Sequence, residues 1–158
     1  GKPSPLGMCI KNGIIYGDYM TSYSVMAVKN DGTIYTPAQG LMGKDLLAAG
    51  VKDTYNFGPI LIQNGEAQLP WAETEKYYPR TAVGMVKPND YVLLVTDTGT
   101  YNGLNHWDMV NIFKSYGCTY AYNLDGGGSA TLYFNGKVMN KLIGNTQRPC
   151  ADFLYFTR

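Results

Sequence analysis

Asp125 opens a run of three glycines, Gly126-Gly127-Gly128, which Ser129 closes within the stretch from Asn123 to Leu132. A carboxylate, a hydroxyl and main-chain amides without side-chain cover therefore meet inside five residues. Successive amides of this kind can line an anion-binding concavity. The chemistry suggested is the handling of a polar, anionic ligand. The same letters also read as a turn between strands, because Asp-Gly is a hairpin signal. A hairpin turn needs only about two residues, however, and this loop holds more glycine than that. It is not a nucleotide-binding P-loop, since no Gly-Lys-Ser/Thr follows the glycines.

Cations are scarce, which makes their positions informative. The arginines are Arg80, Arg148 and Arg158. Arg80 stands at the mouth of an apolar run, Thr81-Ala82-Val83-Gly84, and a guanidinium binds phosphate or carboxylate through a two-pronged fork. The competing reading of Arg80 is a structural ion pair with Asp97 or Asp125. Arg148-Pro149 offers a second cation. His106 is the chain's single histidine, so no histidine-based metal site can be built. No metal and no cofactor are expected.

The elements that must position these residues read as mostly strands. Turn pairs at Asn12-Gly13, Asn30-Asp31-Gly32, Asn64-Gly65 and Asn135-Gly136 each separate short apolar or alternating runs, predicting four β-hairpins in an antiparallel meander. Two helices are predicted. One covers Lys44 to Ala49 and stops at Gly50. The other covers about Asn105 to Tyr116, with Asn105 as N-cap, Asp108 reaching back to it and Gly117 as the stop. Trp107, Val110 and Phe113 give this helix an apolar stripe. It lies between the runs Tyr91 to Thr96 and Tyr120 to Leu124. If those strands are parallel neighbours, Asp97 and Asp125 leave the sheet at one edge, where open α/β sheets place ligands. Glu66 to Tyr78 reads as an irregular loop rich in aromatics.

Composition sets the outer bounds. A chain of 158 residues points to one domain, 1–158. Charged residues make up 16%, against about 25% in an ordinary globular protein. With 14 tyrosines and 19 glycines, this favours β-structure, turns and an uncharged polar surface suited to sugars. The net charge of +1, with no basic cluster, argues against nucleic acid as a partner. No apolar run reaches membrane-span length. The start, Gly1-Lys2-Pro3-Ser4-Pro5, does not read as a signal peptide. Cys9, Cys118 and Cys150 permit at most one disulfide and are expected to be buried free thiols.

Taken in order, Pro79-Arg80-Thr81-Ala82-Val83-Gly84, a strand ending in Asp97, a capped helix and Asn123-Leu124-Asp125-Gly126-Gly127-Gly128-Ser129 resemble the phosphodiester glycosidase family. Phe57 to Gly65 and the closing Arg148-Pro149 with Ala151 to Leu154 are similar to its flanking stretches. The resemblance runs from about residue 5 to the end. It implies an α+β fold, a mostly antiparallel mixed sheet with about two helices packed on it. It also implies hydrolysis of the glycosidic bond in a sugar-1-phosphodiester such as an N-acetylglucosamine-1-phosphodiester. Carried over residue by residue, it assigns Asp125, Asp97 and Arg80 to catalysis. Thr81, Asn123, Gly126, Gly127, Gly128 and Ser129 go to substrate binding. Asp97-Thr98-Gly99 departs from the family's Asp-Gly-Arg. The family's Asn-Gly-Gly-Phe-Phe-like motif is absent ahead of Leu6-Gly7, which the resemblance explains by an upstream segment, a partner chain that completes the sheet, or a reduced version of the domain.

On this reading Arg80 and the glycine amides hold the phosphodiester anion. Asp125 or Asp97 stabilises an oxocarbenium-like transition state, or acts as base or nucleophile. The partner is a phosphate-linked glycan or sugar phosphodiester, met outside the cell or at its surface. The alternative is a non-catalytic cell-wall or polysaccharide-binding module of a secreted or phage protein. A nucleotide-binding role ranks third.

Overall fold

The computed structural model describes residues 4–69, 76–97 and 102–157. Trp71, Glu73, Glu75, Thr98 and Gly99, part of the expectations above, lie outside them.

All four predicted turns form hairpins. Asn12-Gly13 joins β1 (Cys9–Lys11) to β2 (Ile14–Gly17), and Asn30-Asp31-Gly32 joins β3 (Ser24–Lys29) to β4 (Ile34–Tyr35). After α1 (Gly43–Ala48) comes β5 (Val51–Phe57), then β6 (Ile60–Gln63) and β7 (Glu66–Ala67), joined at Asn64-Gly65. A fifth hairpin, turning at Asn89, joins β8 (Thr81–Lys87) to β9 (Asp90–Val95). Then follow α2 (His106–Ser115) and β10 (Tyr120–Leu124). Asn135-Gly136 turns the last hairpin, β11 (Tyr133–Phe134) to β12 (Lys137–Val138). Both helices fall where the sequence puts them. Asn105 caps α2 by accepting from the Asp108 amide, and the Asp108 carboxylate accepts from the Asn105 amide in return.

Strand alternation stacks these elements into four layers. In β8, Ala82 and Gly84 face α2, while Val83 and Met85 face the other way. In β10, Ala121 faces α2, and Tyr120 and Tyr122 face away. On that far side they meet Met26, Ile34 and Tyr55 from β3, β4 and β5. Val25 and Ala27 of β3 then point outward to Leu46 of α1, with Met8 and Ile10 completing the cluster. The order is therefore α2, the five-stranded sheet β7-β6-β10-β8-β9, the three-stranded sheet β4-β3-β5, and α1. This is an α+β fold with antiparallel neighbours throughout both sheets. Tyr122 ties the two sheets together. Its hydroxyl accepts from the Phe57 amide at 2.9 Å and donates to the Ser24 carbonyl.

One expectation is corrected. The strands before Asp97 and Asp125 are not neighbours, because β8 lies between them and runs antiparallel to both. They still run the same way. Both carboxylates therefore leave the sheet at one edge, and that edge is where β8 begins. Thr81 pairs with Val95 on one side and Leu124 on the other, so Arg80 emerges between the two aspartates.

The cysteine expectation is corrected in part: Cys9 and Cys118 are buried free thiols, but Cys150 is exposed on the irregular C-terminal segment. Among the described residues, no helix is long and apolar enough to cross a membrane.

α2 packs closely because β8 offers no side chain at Gly84. A Cβ there would stand 2.5 Å from Phe113 Cδ1 and 2.7 Å from Cys118 Sγ. Overpacking a filled core costs about 1–3 kcal/mol. Gly84→Ala should lower the urea unfolding free energy by that amount with the far-UV spectrum unchanged. An unshifted midpoint would show that α2 does not bear on the sheet at this point.

Candidate active site

The edge at which β8 starts collects the chemistry-bearing residues on three consecutive strands, β10, β8 and β9. Its backbone is held together by glycines. The Gly127 amide donates to the Pro79 carbonyl at 2.8 Å. A Cβ on Gly126 would collide with that same carbonyl and lie 3.4 Å from Arg80 Cα. On the other flank, Gly103 (φ +96°) lets Leu104 pair with Tyr78, with amide-to-carbonyl bonds of 3.0 and 3.3 Å. Residues 78–80 thus run between two glycine-bearing segments. The glycine loop does not leave all its amides open. The Gly127 N–H is used on Pro79, and those of Ser129 and Ala130 bond back to Gly126 and Gly127 in a short 3-10 turn. Gly127 itself sits at φ +56°, the left-handed region that favours glycine.

Arg80 is held firmly in this setting. Its amide donates to Thr96 Oγ1 at 2.9 Å, its Nε to the Leu104 carbonyl at 3.1 Å and its Nη2 to the Lys76 carbonyl at 2.9 Å. The Tyr78 ring lies 5.4 Å from the guanidinium carbon. Burial lowers the guanidinium's pKa, and the Tyr78 phenol partly offsets this. Among the described residues the ion pairs are Lys11–Asp152, Lys29–Asp31 and Arg148–Asp125, so Arg80's positive charge is held by carbonyl dipoles rather than by a carboxylate.

Asp125 has other partners than Arg80. Its Oδ2 accepts from Ser129 Oγ at 2.7 Å and from Arg148 Nη2 at 2.6 Å. The structure therefore brings Arg148 to the loop, 23 positions along the chain and carried on irregular backbone. The Arg148 side chain also lies over Gly128, within 3.6 Å of where a Cβ would stand. Asp97 points to the start of the last segment, its Oδ2 accepting the Lys141 amide at 2.8 Å.

Asn123 lies beneath the site rather than in it. It is 1% exposed, and its Nδ2 donates to the Gly58 carbonyl at 2.7 Å. Its backbone bonds Gly58 and Pro59, whose peptide is cis. Asn123 Oδ1 and Thr81 Oγ1 are buried acceptors with no hydrogen-bond partner in the structure. His106 begins α2 and is buried.

Comparison with known proteins agrees with this fold. The family model described as phosphodiester glycosidase matches residues 1–157. The SPbeta prophage-derived uncharacterized protein YomE of Bacillus subtilis (strain 168) is 29% identical over 160 residues, covering 94% of this chain and 25% of that protein. The N-acetylglucosamine-1-phosphodiester alpha-N-acetylglucosaminidase of Mus musculus is 43% identical over 156 residues, covering 82% of this chain and 29% of that protein. The chain thus spans between a quarter and a third of the length of these relatives. Among solved structures, the zebrafish enzyme of that name, a catalytic domain auto-inhibited by its pro-peptide, superposes with a TM-score of 0.72 at 23% identity. That match covers 93% of this chain and 55% of the zebrafish one and speaks for the fold. By sequence, and in keeping with the fold, the chain belongs to the phosphodiester glycosidase family.

Proposed function

We propose that the chain acts as a single-domain hydrolase cleaving a sugar-1-phosphodiester, of the N-acetylglucosamine-1-phosphodiester kind, on the sugar side. The observation that carries this reading is the convergence of Asp125, Asp97 and Arg80 on one sheet edge, with Arg148 seated on Asp125. A glycosidic bond to phosphate needs charge stabilisation on both sides of the scission. The sugar carbon becomes cationic, and the leaving phosphate monoester is anionic. Carboxylates suit the first and guanidinium groups the second.

The residues divide the work as follows. Arg80, fixed by three carbonyl and hydroxyl contacts, presents its remaining N–H groups to the phosphodiester. Arg148, paired with Asp125, turns to the phosphate of the substrate, which frees the carboxylate for the sugar carbon. Both side chains of that pair are about half exposed, 55% and 47%. Exposed pairs contribute only about 0–1 kcal/mol, so such an exchange costs little. Asp125 then stabilises the oxocarbenium-like centre or attacks it, while Asp97 orients the Lys141 turn and supplies the second carboxylate. Thr81, Ser129, Gly126 and Gly128 line the path of the ligand. Asn123 keeps the Gly58-Pro59 turn in place below. Because a phosphate monoester leaves readily, little help from a general acid is required. The substrates, phosphate-linked glycans, belong to the cell surface or its exterior.

A binding module without turnover is the second reading. It is favoured by the Arg148–Asp125 pair, which gives the proposed catalytic carboxylate a structural partner.

Asp125→Asn separates the two readings. On the enzymatic one, release of free sugar from N-acetylglucosamine-1-phosphoglycerol should fall at least about 100-fold, the lower range for a carboxylate acting on the reacting bond. Affinity should hardly change, as expected for an interaction made in the transition state. Turnover close to wild type in this variant and in Asp97→Asn would remove the carboxylate mechanism. A wild-type chain that binds the diester and releases no sugar is a binding module.

Arg80→Ala should weaken the diester's binding by about 1.5–3 kcal/mol, the range for a hydrogen bond to a charged group, and leave free N-acetylglucosamine nearly unaffected. Equal losses for the charged and the neutral ligand, by titration calorimetry, would make Arg80 structural.

Gly126→Ala tests the support beneath Arg80. The added methyl meets the Pro79 carbonyl and must push residues 79–80 aside. The expected result is a fall in kcat/KM larger than the accompanying loss of stability, and a variant that keeps full activity would show the close approach to be incidental.

A further inference from the structure

Beside Asp97 an open groove of about 450 Å³ runs between the end of β9, α2 and the last hairpin. Its walls join aliphatic side chains, Leu104, Ile112 and Met139 among them, to the polar Thr96, Asp97 and Asn140. A second groove of about 490 Å³ shares Gly103, Leu104 and Ile112 with the first and continues toward Tyr77. The pair forms one track across the surface of α2. None of the roles assigned to the sheet-edge residues uses it.

The track is continuous with the catalytic edge. Asp97 borders both. Asn140, also in the wall, accepts the Leu132 amide at 2.7 Å and donates to the Ala130 carbonyl at 2.9 Å, which ties the groove wall to the end of the glycine loop. A phosphodiester held at Arg80 has two substituents. The sugar is accounted for by the carboxylates, and the other ester must leave in some direction. The track is an apolar direction on offer.

The lining decides what would lie there. Saccharides favour flat aromatic faces with hydroxyls at the rim, and among the described residues the ring that lines this track is Tyr77, at its far end. Branched aliphatic side chains contribute by removing methylene groups from water.

Resting on the hydrolase reading for the sugar side, we propose that this track is an aglycone subsite for an aliphatic chain, so that the substrate is a sugar-1-phosphodiester whose second ester is an alkyl or prenyl alcohol. Glycerol or sugar aglycones would leave the track empty.

The test uses the whole chain and two families of probes. The first is alkyl monophosphates from butyl to decyl, followed by titration calorimetry with no turnover required. The second is N-acetylglucosamine-1-phosphodiesters of decanol and of glycerol, followed by sugar release. Full burial of a methylene corresponds to about fourfold in affinity. An open groove buries part of each, so decyl phosphate should bind at least about 10-fold more tightly than butyl phosphate. Ile112→Glu and Met139→Glu, at partly exposed positions, should flatten the chain-length dependence. A circular dichroism melt checks that each variant is folded. In turnover, the decyl diester should exceed the glycerol diester in kcat/KM by a similar factor.

The two readings fail separately. Sugar release from both diesters with no preference, and alkyl phosphates bound without regard to length, would overturn the aglycone subsite and leave the hydrolase standing. Length-dependent binding abolished by the two variants, with no sugar released from either diester, would support the track and remove the hydrolase. Length dependence that survives both substitutions in folded protein would place the chain elsewhere and overturn the proposal.

Discussion

The contact on which the site depends is the approach of the glycine loop to the main chain ahead of β8. The Gly127 amide reaches the Pro79 carbonyl at 2.8 Å only because Gly126 brings no side chain between them. That bond joins the chain beyond the end of β10 to the chain ahead of β8, past the last strand pair, Leu124 with Thr81. It fixes where Arg80 begins. On the other side, Gly103 and Leu104 hold Tyr78 in the same way, and Leu104 also takes the Arg80 Nε. A long, flexible cation is thereby given one orientation before any ligand arrives. Main-chain carbonyls achieve this, and among the described residues no carboxylate forms an ion pair with it.

The layered core makes that edge rigid. The central sheet is buried on both faces, by α2 on one and by the three-stranded sheet on the other. Its strands carry the period-two pattern needed to serve two different neighbours: small residues, Ala82, Gly84 and Ala121, toward the helix, and bulky ones, Val83, Met85, Tyr120 and Tyr122, toward the second sheet. Small residues let α2 sit close, and the tyrosines span the wider gap between sheets. Their hydroxyls end on partners across it, Tyr122 on Ser24 and Phe57, Tyr120 on Thr36. Burial raises the phenol pKa of both, so they remain neutral.

Local chemistry in the sequence was sufficient for much of this. Asn-Gly pairs announce hairpins because asparagine and glycine accept the positive φ such turns require, and Asn12, Asn64 and Asn135 all adopt it. The α2 cap is equally local, with donors and acceptors three residues apart. The grouping of Arg80, Asp97 and Asp125 was legible through the family motifs. The order of strands was not. The placement of β8 between β9 and β10 depends on pairing across more than thirty residues of chain, and periodicity carries no information about which strand is whose neighbour. The Asn89 hairpin was missed because Lys87-Pro88-Asn89-Asp90 lacks the glycine of the other turns. Arg148 was noted in the sequence as a second cation, but its pairing with Asp125 spans irregular backbone without pattern. Cys150 shares that segment, which explains its exposure.

The two site arginines differ in a way that bears on the proposed chemistry. Arg80 is half-buried, held by carbonyls through two of its nitrogens and attached to the first residue of a core strand. Its position is a property of the fold, and it presents the same charge whether or not a ligand is bound. Arg148 is half-exposed, on irregular backbone, and its tie to the site is one ion pair with a carboxylate that also accepts from Ser129. A fixed cation defines where a phosphate sits. On the proposed function, a movable one shields a carboxylate until the phosphate competes for it, and the carboxylate is then open to the sugar carbon. On that proposal the electrostatic change falls at the bond to be broken, with no motion required of the sheet beneath.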